Sequence, residues 1–278
     1  MHASSAQLTR RPAVAGRFYP ADPVALRRAV RSYIDDATCD HQPGRIVAMI
    51  APHAGYPYSG PIAGTAYALL RDVGRPIRRV ILIGPAHRVA FSGIAATSAA
   101  AFDTPLGPVT VDQQTVRRLT ALPSVHVVDQ AHGPEHSLEV QLPFLIEALH
   151  RDNADNVGFS VVPLLVGDAT ADQVAELLNA AWPAGDVETF VVVSSDLSHY
   201  LDYPTARALD EATTEAIEQL APQRLGHEQA CGRVPIAGLL QVAQQRKLKV
   251  ITVDLRNSGD TAGPRDQVVG YGAYVFTE

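Results

Sequence analysis

The sequence predicts a single-domain α/β protein with a central mixed sheet flanked by helices. Three observations carry that expectation. Short apolar runs rich in Val and Ile recur along the chain, segments of helical periodicity separate them, and the Pro/Gly clusters between them are brief. Strands that are apolar along their whole length are buried on both faces, as they are under the helices of a parallel or mixed sheet. No low-complexity stretch or repeat divides the 278 residues, so one domain over 1–278 is expected.

Each element has its own signal. Residues 46–50, Ile-Val-Ala-Met-Ile, form the first buried strand, followed by a Pro/Gly-rich loop and a helix near 62–70. Residues 80–83 repeat the pattern and end at Gly84-Pro85; 159–166 and 190–193 supply two more buried strands. Residues 23–35 are an amphipathic helix with Asp22 at the N-cap and Pro in the first turn. Leu138, Leu142, Leu145 and Leu149 mark a core-facing helix over 138–150, in which Pro143 imposes a kink or a later start. Helices over 205–220 and 236–246 and a last strand over 268–276 complete the reading.

Composition excludes several functions. A net charge of −6 and only short basic stretches, Arg27-Arg28 with Arg31 and 75–79, do not make a nucleic-acid face. Two cysteines, Cys39 and Cys231, are no disulfide framework, and Cys39 sits in a polar stretch as a bystander. The polar opening, with Arg10 and Arg11, lacks the apolar core of a signal peptide, and no apolar run is long enough for a bilayer. A cytoplasmic protein that engages neither nucleic acid nor membrane is expected.

The chemistry collects where predicted strands end. His53 follows the first strand in Ala51-Pro52-His53-Ala54-Gly55-Tyr56, His87 follows the second in Gly84-Pro85-Ala86-His87, and His199 follows a third in Ser194-Ser195-Asp196-Leu197-Ser198-His199. Open α/β sheets bind ligands beyond the carboxyl ends of their strands. A lone histidine in such a loop is more often a loop or core residue, but three at matching positions can converge. Asp196 stands three residues before His199, so the two can face the same way. It can ligate a metal, orient an imidazole, act as a base, or simply cap the next segment. Cys231 lies just before a predicted helix, where a thiol acidity above normal is expected and where a thiolate beside imidazoles suits zinc, copper or iron; a small buried side chain is the plain alternative. Glu135 and His136 form a secondary pair at the mouth of the 138–150 helix, Glu139 fits a helix-dipole role, and Tyr56 can line a pocket. Arg88 and Arg233 flank two of these residues and can bind an anion.

The chain resembles the Memo family, also called the B component of the AmmeMemoRadiSam set, nearly end to end. The resemblance is carried by residues 11–20 (Arg-Pro-Ala-Val-Ala-Gly-Arg-Phe-Tyr-Pro), 51–56 with Tyr58-Ser59-Gly60, Gly84-Pro85 with His87, 135–139, 194–199 and Cys231-Gly232-Arg233. It implies a fold similar to class III extradiol dioxygenases. It also implies an iron or copper ion held by His53, His87 and Cys231, with Asp196 and His199 close by in catalytic roles. The cysteine replaces the dioxygenases' glutamate, which argues against ring cleavage. Family association implies radical SAM and AMMECR-type partners. The leading expectation is a metal-dependent redox enzyme acting on dioxygen or a small substrate. The alternatives are a non-catalytic peptide-, metabolite- or metal-binding module and, third, a zinc hydrolase.

Overall fold

The computed structural model describes residues 8–38, 44–71, 73, 76–149 and 158–278. Cys39, His2, His41 and His150 lie outside the described residues, as do parts of the basic stretch 75–79 and the end of the 138–150 helix. In chain order the elements are β1 (Thr9–Arg10), α1 (Pro23–Asp35), β2 (Ile46–Ala51), α2 (Tyr56–Arg71), β3 (Arg79–Pro85), β4 (Ile94–Ala96), β5 (Ala101–Phe102) and β6 (Val109–Thr110). There follow α3 (Gln113–Leu119), β7 (Val125–Val127), α4 (Asp129–His132), a 3-10 turn (Glu139–Gln141), α5 (Leu142–Leu149), β8 (Ser160–Val166) and α6 (Ala171–Ala181). The chain then runs through β9 (Thr189–Ser194), β10 (His199–Leu201), α7 (Tyr203–Glu218), α8 (Arg233–Arg246), β11 (Lys249–Asn257) and β12 (Val268–Thr277).

The central mixed sheet is ordered β10-β12-β2-β9-β3-β8-β4-β7, with β11 paired to β12. Its middle, β2, β9, β3 and β8, is wholly parallel, and every residue of β2 and β9 is buried. This is why their sequences show unbroken apolar runs rather than alternation. β12 and β4 pair antiparallel on either side, making the sheet mixed. The helices α1, α2 and α5 pack together beside β2, β11 and β12, while α6 and α8 pair near β3 and β9. Among the described residues, no helix is long and apolar enough to cross a membrane.

Local chemistry explains the helix starts. The Asp22 carboxylate accepts the Ala25 N–H at 2.8 Å, Pro23 opens α1, and Leu26, Val30 and Ile34 form its buried stripe. Pro143 resolves as a later start: a 3-10 turn precedes α5, and the proline sits in the first turn, where its missing N–H costs no bond. Between α1 and α2, Gly64 packs against the Tyr33 backbone so closely that any Cβ would overlap its carbonyl.

Glu139 departs from the helix-dipole role expected of it. Fully buried, its carboxylate pairs with Arg10 and accepts the Ala13 N–H at 2.7 Å, the Val14 N–H at 3.0 Å and the Tyr19 hydroxyl. Arg10 also donates to the carbonyls of His132 and Glu135. Chain residues 10–19 are thereby strapped to the loop 132–139. A buried ion pair stripped of one partner leaves an uncompensated charge. Glu139→Ala is therefore expected to destabilise the protein by about 3–5 kcal/mol, read by denaturant unfolding; Gly64→Ala is expected to cost about 1–3 kcal/mol by overpacking.

Candidate metal centre

Three loops meet beyond the carboxyl ends of the parallel strands: 52–55 after β2, 86–88 after β3 and 195–198 after β9. A fourth, 133–138, is tied across them. The Ser137 hydroxyl donates to the Pro85 carbonyl at 2.8 Å, and the Ser194 hydroxyl donates to the Ser137 carbonyl at 2.6 Å. The result is a cluster of His53, His87 and His136 whose ligand nitrogens lie within 4.8 Å of one another. Ring centroids stand 5.2 Å apart for His53–His87, 5.5 Å for His53–His136 and 4.9 Å for His87–His136.

Hydrogen bonding assigns the His53 tautomer. A hydroxyl has one proton, and that of Ser194 is committed to the Ser137 carbonyl, which can only accept. Ser194 Oγ, which also receives Gln141 Nε2 at 2.8 Å, must then accept from His53 Nδ1 at 2.9 Å. His53 Nε2 is left as an acceptor, the form a metal requires, and the Cys231 thiol lies against it. Glu135 does the same for His87: its Oε1 lies 3.0 Å from His87 Nδ1, so this nitrogen donates and Nε2 is free. The same carboxylate accepts the backbone N–H groups of His87, of His136 at 2.9 Å and of Ser137 at 3.0 Å. Burial raises the carboxyl pKa of Glu135, but the hydrogen bonds from His136, His87 and Ser137 outweigh it and hold the group well below the usual carboxylate range. His136 Nδ1 lies 3.2 Å from Glu135 Oε1, an ion-pair contact rather than an aligned hydrogen bond.

Cys231 sits beside this cluster, its Sγ 3.3 Å from His53 Nε2. Two ligands at about 2.0 Å and 2.3 Å from one tetrahedral ion stand about 3.5 Å apart, close to this spacing. The acidic thiol expected before α8 is not observed. Burial, followed by the charge of Asp196, pushes its pKa up to about 12. The Ser195 hydroxyl receives the Gly232 N–H at 2.9 Å.

The other expected residues take different places. Asp196 is buried, and its Oδ1 accepts the His53 backbone N–H at 2.7 Å, so it positions His53 through the main chain and not through the ring. His199 does not join the three-histidine cluster. Ser195 N–H bonds to the Ala51 carbonyl and Leu197 N–H to the Gly270 carbonyl, carrying the chain across to β12, where His199 pairs with Val269. It faces instead a cavity of about 300 Å³ that it shares with Cys231 and His227. Tyr56 is a packing residue: it is buried, its hydroxyl donates to the Val140 carbonyl at 2.8 Å, and its ring lies against Tyr19 and Phe144. His136, secondary in the sequence reading, is the third imidazole. The supporting Ser194 and Gln141 were not singled out from sequence, because nothing local to either marks it as facing a histidine.

Fold and pocket together define an α/β protein whose parallel strands end at a histidine cluster of metal-binding geometry. The chain belongs to the Memo-like protein family, which matches residues 10–275. A MEMO1 family protein of Archaeoglobus fulgidus is 35% identical over 278 residues, covering 96% of this chain and 99% of the relative. One from Aquifex aeolicus is 34% identical, covering 96% and 98%. Among solved structures, an uncharacterized protein from Escherichia coli K12 aligns with a TM-score of 0.56 at 15% identity, over 84% of this chain and 100% of that one; this is a likeness of fold.

Burial lowers the His53 pKa from 6.5 to about 4, with Asp196 opposing and the neighbouring His87 and His136 adding to the fall. Burial likewise takes His132 to about 4. In metal-free protein both enter the native state neutral, so below about pH 6.5 the unfolded chain binds protons the native state does not. Stability should therefore fall as pH drops from 6.5 towards about 4. Asp210, raised to about 6 by burial, acts in the opposite sense between 3.8 and 6, where only the native state keeps its proton. Thermal melts of metal-free protein over this range should show the fall, and Asp210→Asn should steepen it. A flat profile in wild type would contradict the buried, neutral state of the histidines.

Proposed function

We propose that this protein binds one transition-metal ion at the His53/His87/His136 cluster, with Cys231 as a further ligand, and acts as a metal-dependent redox enzyme on dioxygen or a small substrate. The observation that carries the reading is the tautomer control: two imidazoles have their Nδ1 protons tied back, and a third, His136, sets its Nδ1 against the Glu135 carboxylate without an aligned hydrogen bond. Imidazoles beside a thiol suit iron, copper or zinc, and do not suit magnesium or calcium. Iron or copper bound there supplies one-electron chemistry, and a sulfur ligand lowers its potential.

The chain's own residues do the rest. Glu135 and Ser194 hold the Nδ1 protons of His87 and His53 and so leave both Nε2 atoms as acceptors. Asp196 holds the His53 main chain. In this reading Asp196 and His199 are also the groups that move protons, His199 from the adjoining cavity. The fold likeness implied by the family, to class III extradiol dioxygenases, supports redox use of the site. Radical SAM and AMMECR-type proteins are the proposed partners, and the cytoplasm the proposed location, on family association and cysteine usage alone.

Metal content of untagged, anaerobically purified protein tests the reading. Wild type should carry about one equivalent of iron or copper, His53→Ala and His136→Ala should lose most of it, and Glu135→Gln should weaken binding about 10- to 100-fold. Unchanged content in both histidine variants would refute the centre. Oxygen consumption that requires added iron or copper separates an enzyme from a module that binds without turnover. Native zinc with ester or amide hydrolysis would instead promote the hydrolase.

A further inference from the structure

The cavities of the molecule differ in whether their charges are already satisfied. One of about 500 Å³ lies between α1, α2 and β11, and there Asp254 pairs with Arg256 and accepts the Thr65 hydroxyl. A cleft of about 400 Å³, which shares Cys231 but none of the three histidines with the candidate metal centre, is different. Its floor is Pro85 and Val166, the last residues of β3 and β8, and it reaches Cys231. This volume falls within the range of small-molecule sites, about 300–1,000 Å³.

The cleft walls are chemically divided. Ala86, Val89 and Phe91 from the loop after β3 line the cleft together with Val234 and Pro235 of α8. Gly167 lets the Phe91 ring lie against the end of β8, because a Cβ there would overlap that ring. Arg233 also lines the cleft. It is half-buried, and among the described residues its guanidinium has no carboxylate or carbonyl partner, whereas Arg10, Arg79 and Arg256 all have one. Asp168 lines the same cleft without forming an ion pair with Arg233. A guanidinium beside an apolar wall is matched by a planar oxyanion, which it can grip with two parallel hydrogen bonds. The Asp168 carboxylate disfavours a second negative charge on the same ligand.

We infer that this cleft is the substrate subsite of the metal centre proposed above, and that it takes a small monocarboxylate with a flat or aliphatic body, Arg233 binding the carboxylate. The word substrate rests on the metal-centre reading; carboxylate binding itself needs no metal. His227, which lines both this cleft and the adjoining cavity of about 300 Å³, then stands beside the ligand at the wall shared with Cys231.

Calorimetric titration with benzoate, benzyl alcohol and phthalate, on metal-loaded and chelator-stripped protein, tests the inference. Benzoate should bind both forms. Arg233→Gln should weaken it at least about tenfold, the loss expected when a charge-assisted pair is removed, and Val89→Trp should block it by filling the cleft. The neutral alcohol and the dianion should bind at least about tenfold more weakly than benzoate. No benzoate binding, binding indifferent to Arg233→Gln or Val89→Trp, or binding seen only with metal present would overturn the inference. Metal content measured on the same samples separates the two readings. Arg233-dependent binding to protein that never holds metal would sink the metal centre and leave the cleft, whereas full metal with Arg233-independent binding would sink the cleft alone.

Discussion

The Glu135 carboxylate is the constraint on which the site depends. One buried side chain accepts the His87 ring and backbone, and the backbones of His136 and Ser137, so that two loops from distant parts of the chain share a single anchor. Buried carboxylates are costly unless their lone pairs are filled, and this one has them filled by the segments that carry the histidines. Its negative charge is thus maintained by the same bonds that orient the rings. Losing it would free the His87 tautomer and unpin His136 together.

Ser194 plays the matching part for His53 from the opposite strand, with less charge and more geometry. Its single proton is spent on the Ser137 carbonyl, and the direction of every other bond at that oxygen follows. Because Ser194 ends β9 and His53 follows β2, the parallel pairing of these strands brings the hydroxyl to the imidazole. Behind both, Glu139 and Arg10 strap the start of the chain to the 132–139 loop. Stability and site geometry are therefore coupled: the loop that supplies His136 is held from the protein's interior on one side and by Glu135 on the other.

Much of the fold was legible because burial leaves a simple signature. The strands read at 46–50, 80–83, 159–166 and 190–193 appear with ends shifted by a few residues at most, and Asp22 caps α1 as its chemistry requires. β11, by contrast, is half-buried along most of its length and was not singled out. The site was legible in part. His53 and His87 follow strands that are neighbours of β9, so their loops open on one crevice. His199 also follows a strand, but backbone bonds to Ala51 and Gly270 lead its loop aside. Cys231 does lie beside His53, but burial beside Asp196 reverses the effect on its thiol that a helix start alone would have.

By itself, the order of residues determined the buried central strands, the main amphipathic helices, and the chemical types available at the strand ends, since those depend on local periodicity and on side-chain chemistry. Which histidine became the third of the cluster was decided only in three dimensions. His136 owes its place to hydrogen bonds made by Glu135, Ser137 and Ser194 across up to 57 positions of sequence. Partners that far apart leave no spacing to read; they become neighbours only when the parallel strands set their loops side by side.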